Sequence, residues 1–343
     1  MRVVLADPSA FTLPYDHELA VALARAGADV ELVTSRFRFG DAPEPVGYTR
    51  SESFYPLSSR LFRRSPVRVP VKAAEHVPGM IVLLRRRPDV LHMQWLTAPE
   101  LDRYVFRPRV PSVFTAHDLL PRRTSHKREL WRTLLRRFDH VVVHSEHGRT
   151  ALAELGVEAC VIPHPVFPSE PSRTNDGQTV LALGVLRAYK GIHDAVEATR
   201  RIGARLLVAG DAAEVVDLDE PHVEARLGYL PESELDRALG ESTVAVFPYR
   251  PELDQSGALL RALGAGVPAV AYDVGGIAEP VRRFGAGRVV EPGNVEALAE
   301  ALRALLEDTE ELERARAGAR RARAELTWEA AARAHLDLYR DLA

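Results

Sequence analysis

Arg187 and Lys190 stand three residues apart in the stretch Leu-Ala-Leu-Gly-Val-Leu-Arg-Ala-Tyr-Lys-Gly (181–191). The apolar residues up to Gly184 read as a buried strand, and the pattern after Gly191 reads as a helix, so both cations fall in the joining turn. A helix N-terminus at that turn adds free N–H groups and positive potential to the two side chains. A diphosphate would satisfy all of them; a solvated turn with two surface cations is the plain alternative. A second candidate follows at Asp254-Gln255-Ser256-Gly257. There an irregular loop leads into a helix starting at Ser256 or Gly257, with donors and one carboxylate suited to hydroxyls and phosphate oxygens.

The elements that must hold these turns alternate along the whole chain. In the first half, strands are predicted at 2–7, 29–35, 89–95, 112–117, 140–145 and 160–165, with helices at 16–26, 71–86, 126–137 and 146–155. Apolar runs without a polar face, separated by helices, predict a parallel sheet covered on both sides. The pattern restarts after a Pro-, Ser- and Asn-rich linker at 168–178. Strands follow at 179–184, 204–210, 222–230, 244–249, 268–274 and 287–292, and helices at 191–201, 231–239, 256–265, 276–283 and 294–307, with 309–341 helical throughout. The expected fold is α/β with two successive doubly wound, Rossmann-like domains, whose ligands bind at strand carboxyl ends, in a cleft between the halves. A stretch at 36–70 shows no period and reads as one long loop, often a functional feature.

A chain of 343 residues has room for two such domains. Residues 1–167 hold 24 Lys and Arg against 18 Asp and Glu, whereas residues 168–343 hold 21 against 30, so the first half is the basic one. Its cations cluster at Arg60, Arg63, Arg64, Arg68 and Lys72, at Arg85 to Arg87, and at Arg128, Arg132, Arg136 and Arg137. Such clusters read either as solvated helix faces or as a footprint for phosphates or an anionic leaflet. The lone Cys160 can form no internal disulfide, and its apolar neighbours predict a core thiol. No metal-ligand spacing of Cys or His and no Gly-x-Gly-x-x-Gly appears, which disfavours zinc and a nicotinamide cofactor. Without a secretory pattern or a membrane-length apolar run of roughly 20 residues, the expected location is cytoplasmic.

Taken in order, these segments resemble a family 4 glycosyltransferase of the GT-B fold. The family's Arg-x-x-Lys-Gly turn matches Arg187 to Gly191. Its C-terminal signature of Pro-Tyr, loop, helix, Ala-x-Gly-x-Pro and Gly-Gly-x-x-Glu matches 248–279. Phe-Thr-Ala-His-Asp (114–118), Val-Ile-Pro-His-Pro-Val (161–166) and Leu-Thr-Trp-Glu-Ala-Ala-Ala (326–332) match as well, so nearly the whole chain is covered. The resemblance implies retaining transfer of a sugar from a nucleoside diphosphate sugar, UDP- or GDP-linked, to an acceptor hydroxyl without a bound metal or other cofactor. It implies an acceptor-binding domain at 1–167, a donor-binding domain at 168–325, and a helix at 326–343 crossing back to the first, anchored by Trp328. Donor-side residues would be Gly184, Tyr229, Leu230, Gln255, Ser256 and Gly257. Catalysis would fall to Arg187, Lys190, His117 and Asp254, with a donor phosphate oxygen taking the acceptor proton.

On the acceptor side the candidates are Tyr15, Asp16, Gln94, Trp95 and Asp118. Asp16 reads either as a helix N-cap or as a binder of acceptor hydroxyls. Trp95 could pack a sugar face while Gln94 binds hydroxyls, and core packing is the equal alternative for these two and for His92. His144, His147 and His164 read as structural. Two departures from the family stand out. Its Glu-x7-Glu motif is replaced, with Leu253 or Asp254 at the first glutamate and Arg261, which cannot accept a hydrogen bond, at the second. Its N-terminal glycine-rich loop is absent, with Pro8, Pro14, Tyr15 and Asp16 in that region. A sugar-nucleotide-binding subunit without activity, or a nucleotide-sugar epimerase or phosphorylase-like enzyme of the same fold, is therefore kept as a rival. The expected partners are a nucleotide-sugar donor and a glycan, lipid-linked or small-molecule acceptor, with peripheral contact to an anionic membrane through the basic half and no nucleic acid.

Overall fold

The computed structural model describes residues 1–38, 40–61, 67–174, 177–212, 218–250 and 255–342. They form two compact units, Met1–Pro163 with Trp328–Ala343, and His164–Thr327. The sequence divided the chain at 167/168 and 325/326.

In the first unit the order is β1 (Arg2–Asp7), α1 (Leu13–Arg25), β2 (Asp29–Ser35), β3 (Thr49–Phe54), α2 (Arg68–Leu84), β4 (Val90–Met93), α3 (Pro99–Val105), β5 (Ser112–Thr115), α4 (Arg128–Leu135), β6 (His140–Val143), α5 (Glu146–Glu154) and β7 (Cys160–Val161). All strands run parallel in the order β3-β2-β1-β4-β5-β6-β7. The order reverses between β1 and β4, and a doubly wound sheet opens its ligand crevice at such a point. Val4, Ala6, Leu91, Met93, Phe114 and Trp131 are among the residues that close the core on one side of the sheet.

The second unit runs β8 (Thr179–Leu183), α6 (Ile192–Ile202), β9 (Arg205–Gly210), β10 (Val223–Leu227), α7 (Glu232–Gly240), β11 (Val244–Phe247), α8 (Gly257–Gly264), β12 (Ala269–Tyr272), α9 (Ala278–Phe284), β13 (Gly287–Val290), α10 (Val295–Glu307) and α11 (Thr309–Glu325). The parallel order is β10-β9-β8-β11-β12-β13, with its reversal between β8 and β11. Alternate residues of β8 enter opposite cores, Leu181 and Leu183 on one face, Val180 and Ala182 on the other. That two-sided burial is why the strands read as unbroken apolar runs.

Helix α12 (Trp328–Arg340) belongs to the first unit. Trp328 packs its indole against the Tyr15 ring of α1 at 5.1 Å, and the Tyr339 hydroxyl lies 2.6 Å from His92 Nδ1. The last stretch is thus two helices rather than one. Leu326 leaves helical geometry (ψ 64°), and the chain passes between the units at that break.

Two further elements depart from the sequence reading. The 36–70 region holds strand β3, whose Thr-Arg-Ser-Glu-Ser-Phe residues are largely exposed up to Phe54 because it is an edge strand with no apolar face to show. The seven-residue helix α3 is too short to establish a period. Cys160 is half-buried on β7, its Sγ 3.9 Å from His140 Nδ1, rather than in the core.

Candidate active site

In the second unit the turn after β8 is shaped by two glycines. Gly191 has φ 62° and caps α6, and a Cβ there would stand 1.9 Å from the Pro248 carbonyl oxygen. Only glycine lets the turn approach the end of β11 this closely. A hydrogen bond of 2.7 Å from Arg250 N–H to the Tyr189 carbonyl ties the same two segments. As a result Lys190 Nζ lies 4.9 Å from the centre of the Tyr249 ring. Gly184, with φ 107°, leaves the space beside that ammonium.

Arg187 is exposed, in extended conformation ahead of the 3-10 turn Ala188–Lys190. Neither Arg187 nor Lys190 has a carboxylate partner among the described residues. Arg250, by contrast, is spent on Asp194 at 3.3 Å, and Asp194 also accepts from the Tyr272 hydroxyl at 2.9 Å. Two cations without a carboxylate partner among the described residues therefore stand in the turn that leads into α6, whose dipole adds to theirs.

Ser256 caps α8, its Oγ accepting from Leu259 N–H at 3.2 Å and lying 3.2 Å from the Tyr249 hydroxyl. Tyr249 thus links the Lys190 side to the α8 side. Sequence reasoning read it only as part of the Pro-Tyr signature. Gly257 opens the helix and Gln255 is half-buried beside it. Tyr229 is 61% exposed after β10, where it can meet a ligand, whereas Leu230 packs into the core and can offer only its backbone. Asp254 and Leu253 lie outside the described residues. Arg261 stacks on the Phe167 ring at 5.0 Å and binds Glu232, the first residue of α7, through both guanidinium nitrogens.

In the first unit Tyr15, Gln94, Trp95 and His117 come together at the carboxyl ends of β1, β4 and β5. His117 Nε2 lies 2.8 Å from Gln94 Oε1, and its ring stacks on Trp95 at 5.7 Å and 19°. Tyr15 meets the same ring edge-on at 4.7 Å. Trp95 is pinned by donation to Thr12 Oγ1 at 2.9 Å. Behind His117 stands His144, held neutral by burial, which pushes it down to about 4. Its Nδ1 donates to the Ile162 carbonyl at 2.9 Å, and its Nε2 lies 3.4 Å from His117 Nδ1. Gln94 is fully buried, bridging His92 Nε2 at 3.3 Å and His117. Asp118 follows His117 and is half-buried.

Asp16 is not the N-cap of α1: the helix begins three residues earlier, at Leu13 after Thr12. Asp16 is fully buried and reads the fold, not solvent. It faces Asp7 at the end of β1, and Thr12 Oγ1 lies 3.4 Å from it. Burial and the neighbouring carboxylate hold Asp16 well above the usual aspartate range, and burial raises Asp7 as well, so the pair keeps a proton.

Each unit is a doubly wound parallel sheet whose order reverses once, and two such units in one chain are the GT-B fold. Residues 15–170 match the model described as Glycosyltransferase Family 4, and residues 177–308 match the one described as Glycosyl transferases group 1. Together the two matches span most of the chain and make it a glycosyltransferase of the GT-B fold. The chain is 29% identical to the glycogen synthase of Mycobacterium tuberculosis over an alignment of 291 positions, covering 74% of this chain and 69% of that one. Among solved structures it resembles sucrose-phosphate synthase from Thermosynechococcus elongatus, with a TM-score of 0.78, 20% identity and coverage of 100% and 99%. It also resembles Anabaena Alr3699/HepE in complex with UDP-glucose, with a TM-score of 0.71, 17% identity and full coverage of both chains.

Proposed function

We propose that this glycosyltransferase moves a sugar from a nucleoside diphosphate sugar to an acceptor hydroxyl with retention of anomeric configuration and without a bound metal. The observation that carries the reading is the pair Arg187 and Lys190, cations without carboxylate partners among the described residues, in the turn that leads into α6. As the glycosidic bond breaks, the diphosphate gains negative charge. Fixed cations and a helix dipole stabilise that charge as a metal does elsewhere. The acceptor proton passes to a donor phosphate oxygen, so no protein base is required.

The second unit supplies the donor contacts, from Gly184, Tyr229, Gln255, Ser256 and Gly257 with the Leu230 backbone; Asp254 stays on the donor side by its place in the sequence. The first unit supplies the acceptor contacts. There Trp95 and His117 offer a stacked, half-buried pair of rings with a nitrogen edge for sugar hydroxyls. HepE, solved with UDP-glucose, and the glycogen synthase relative favour a UDP- or other nucleoside diphosphate glucose-type donor.

The test is a panel of UDP-, GDP-, ADP- and dTDP-sugars, read by release of nucleoside diphosphate with and without EDTA and by the anomeric proton of the product. One donor turning over with retention, unaffected by EDTA, is the expected result. Inversion or loss of rate in EDTA contradicts it. The pairing of Arg261 with Glu232 favours a second reading, a binding subunit that holds the nucleotide without turnover; calorimetric binding with no release from any donor would establish it.

A cytoplasmic location with peripheral docking on an anionic leaflet is part of the same proposal. No helix among the described residues is long and apolar enough to cross a membrane. Of the basic clusters, Arg86 is paired with Glu31 and Arg132 with Glu129, while Arg136 and Arg137 donate to the Gly156 and Phe106 carbonyls. Those four serve the fold, which narrows any leaflet contact to the remaining cations.

A further inference from the structure

The first unit contains a cavity of about 200 Å³ lined by Ser9, Ser35, Arg38, Ser58, Ser59, Arg68 and Lys72, with Phe11 and Tyr55 as walls. Three cations and four serine hydroxyls converge there, and among the described residues no carboxylate lines it. The volume is below the ~300–1,000 Å³ of a pocket that encloses a whole small ligand, so it suits one group of a larger molecule.

The cavity is built rather than accidental. Tyr55 is fixed through its hydroxyl, 2.7 Å from His76 Nδ1, and His76 Nε2 lies 2.7 Å from the buried carboxylate of Asp102. Lys72 lies over the Tyr55 ring at 4.5 Å and donates to Ser9 Oγ at 2.8 Å. Ala10, between two lining residues, and Tyr55 itself hold positive φ, 52° and 54°, although neither is glycine. Arg68 Nε is buried and has no hydrogen-bond partner among the described residues.

We propose that this cavity binds the phosphate monoester of a phosphorylated acceptor. The inference rests on the reading that the first unit holds the acceptor, and it adds the acceptor's chemical class. Half-buried cations gathered in one cavity repel one another, and a bound anion relieves that cost. Burial and the nearby Arg68 and Arg38 guanidiniums push Lys72 down to about 8, with Asp7 opposing and Arg123 adding to the effect. A phosphate dianion offers what the described lining lacks, anionic oxygens for charge-assisted bonds from the three cations. The location suits an acceptor held at two points. Phe11 meets the Trp95 indole edge-on at 5.4 Å, and Ser9 is 2.9 Å from Thr97, so the cavity adjoins the Trp95 and His117 rings.

The chain contains three lysines, at 72, 127 and 190, so amine labelling followed by peptide mass spectrometry reads each separately. The wild-type protein is labelled at pH 8 with inorganic phosphate, glucose 6-phosphate, glucose or UDP. At ten times the Kd about one site in ten is free, so labelling of Lys72 slows about tenfold with glucose 6-phosphate and with phosphate. Glucose has no effect, Lys127 is unprotected throughout, and UDP protects Lys190. Lys72 labelled at the same rate in every mixture overturns the proposal, while protection of Lys190 by UDP leaves the donor reading intact. Protection of Lys190 alone by phosphate also overturns it, since phosphate then sits with the donor group.

Lys72→Gln and Arg68→Gln are each expected to raise the Kd for glucose 6-phosphate about 10- to 100-fold by calorimetry. Unchanged affinity in both variants contradicts the assignment. Vesicles containing phosphatidic acid, compared with phosphatidylcholine alone, identify the source of the phosphate. Protection of Lys72 by the former but not by glucose 6-phosphate assigns a lipid headgroup, and the reverse assigns a soluble sugar phosphate.

Discussion

Gly184 lies against Lys190 so closely that a Cβ on the glycine would stand 2.8 Å from the lysine Nζ. The absence of a side chain at one residue is thus what leaves room for the cation of the other. Gly184→Ala adds this contact to the strain of a positive φ, which costs about 1–3 kcal/mol where non-glycine residues are forced into it. It is expected to lower turnover by about 100-fold, as small misplacements of reacting groups do. The check is a double-mutant cycle. If the glycine acts through Lys190, Gly184→Ala adds almost nothing to kcat/KM once Lys190 is alanine; independent, additive losses contradict the link.

Glu232 is held at the first turn of α7 by Arg261 of α8, between the Tyr229 and Ser256 segments. Ribose hydroxyls need an acceptor, and Arg261 can only donate. Glu232→Ala is expected to weaken nucleoside diphosphate binding by about tenfold, the low end of a charge-assisted bond because Glu232 is exposed. Its effect on thermal stability should be small, since exposed ion pairs contribute ~0–1 kcal/mol. Calorimetry with the preferred nucleotide measures it, and an unchanged Kd removes Glu232 from the site.

The Asp7 and Asp16 pair makes stability depend on pH with a defined sign. The folded state keeps a proton that a free aspartate, at 3.8, would lose. The contribution is therefore complete below that value and is lost as pH rises through the raised folded value. Asp16→Asn removes the titrating group and keeps its shape. Its melting temperature should gain on the wild type as pH rises from 4 to 8, by about 2–4 °C for each ~1 kcal/mol in a unit of this size. Parallel melting curves across that range contradict the shared proton.

Most of the fold was legible because its strands are buried on both faces. β1 and β2 fall at the residues predicted, β9 ends where predicted, and the other predicted strands end one to four residues early. β3 was not legible, since an edge strand of Thr, Arg, Ser and Glu carries no apolar signal. Of the candidate site, the positions of Arg187, Lys190, His117 and Ser256 at strand and helix ends were readable from the apolar pattern. Asp16 was misread as a cap because Pro14 starts the helix ahead of it. Of the cavity, Arg68 and Lys72 stood in a basic cluster that read as a solvated face or a phosphate footprint, but the enclosure itself was not readable. Its parts come from the ends of β1 and β2, from the chain after β3 and from α2, and only the tertiary fold joins Ser9 to Lys72 across 63 residues.

The central claim is that Arg187 and Lys190 neutralise the departing diphosphate, and nucleoside diphosphate release by Lys190→Ala tests it most directly. Loss of one such donor costs about 2–4 kcal/mol of transition-state stabilisation, so kcat/KM should fall roughly 30- to 1,000-fold. Wild-type turnover in that variant, with the donor that the native protein uses, would show that the charge is stabilised elsewhere.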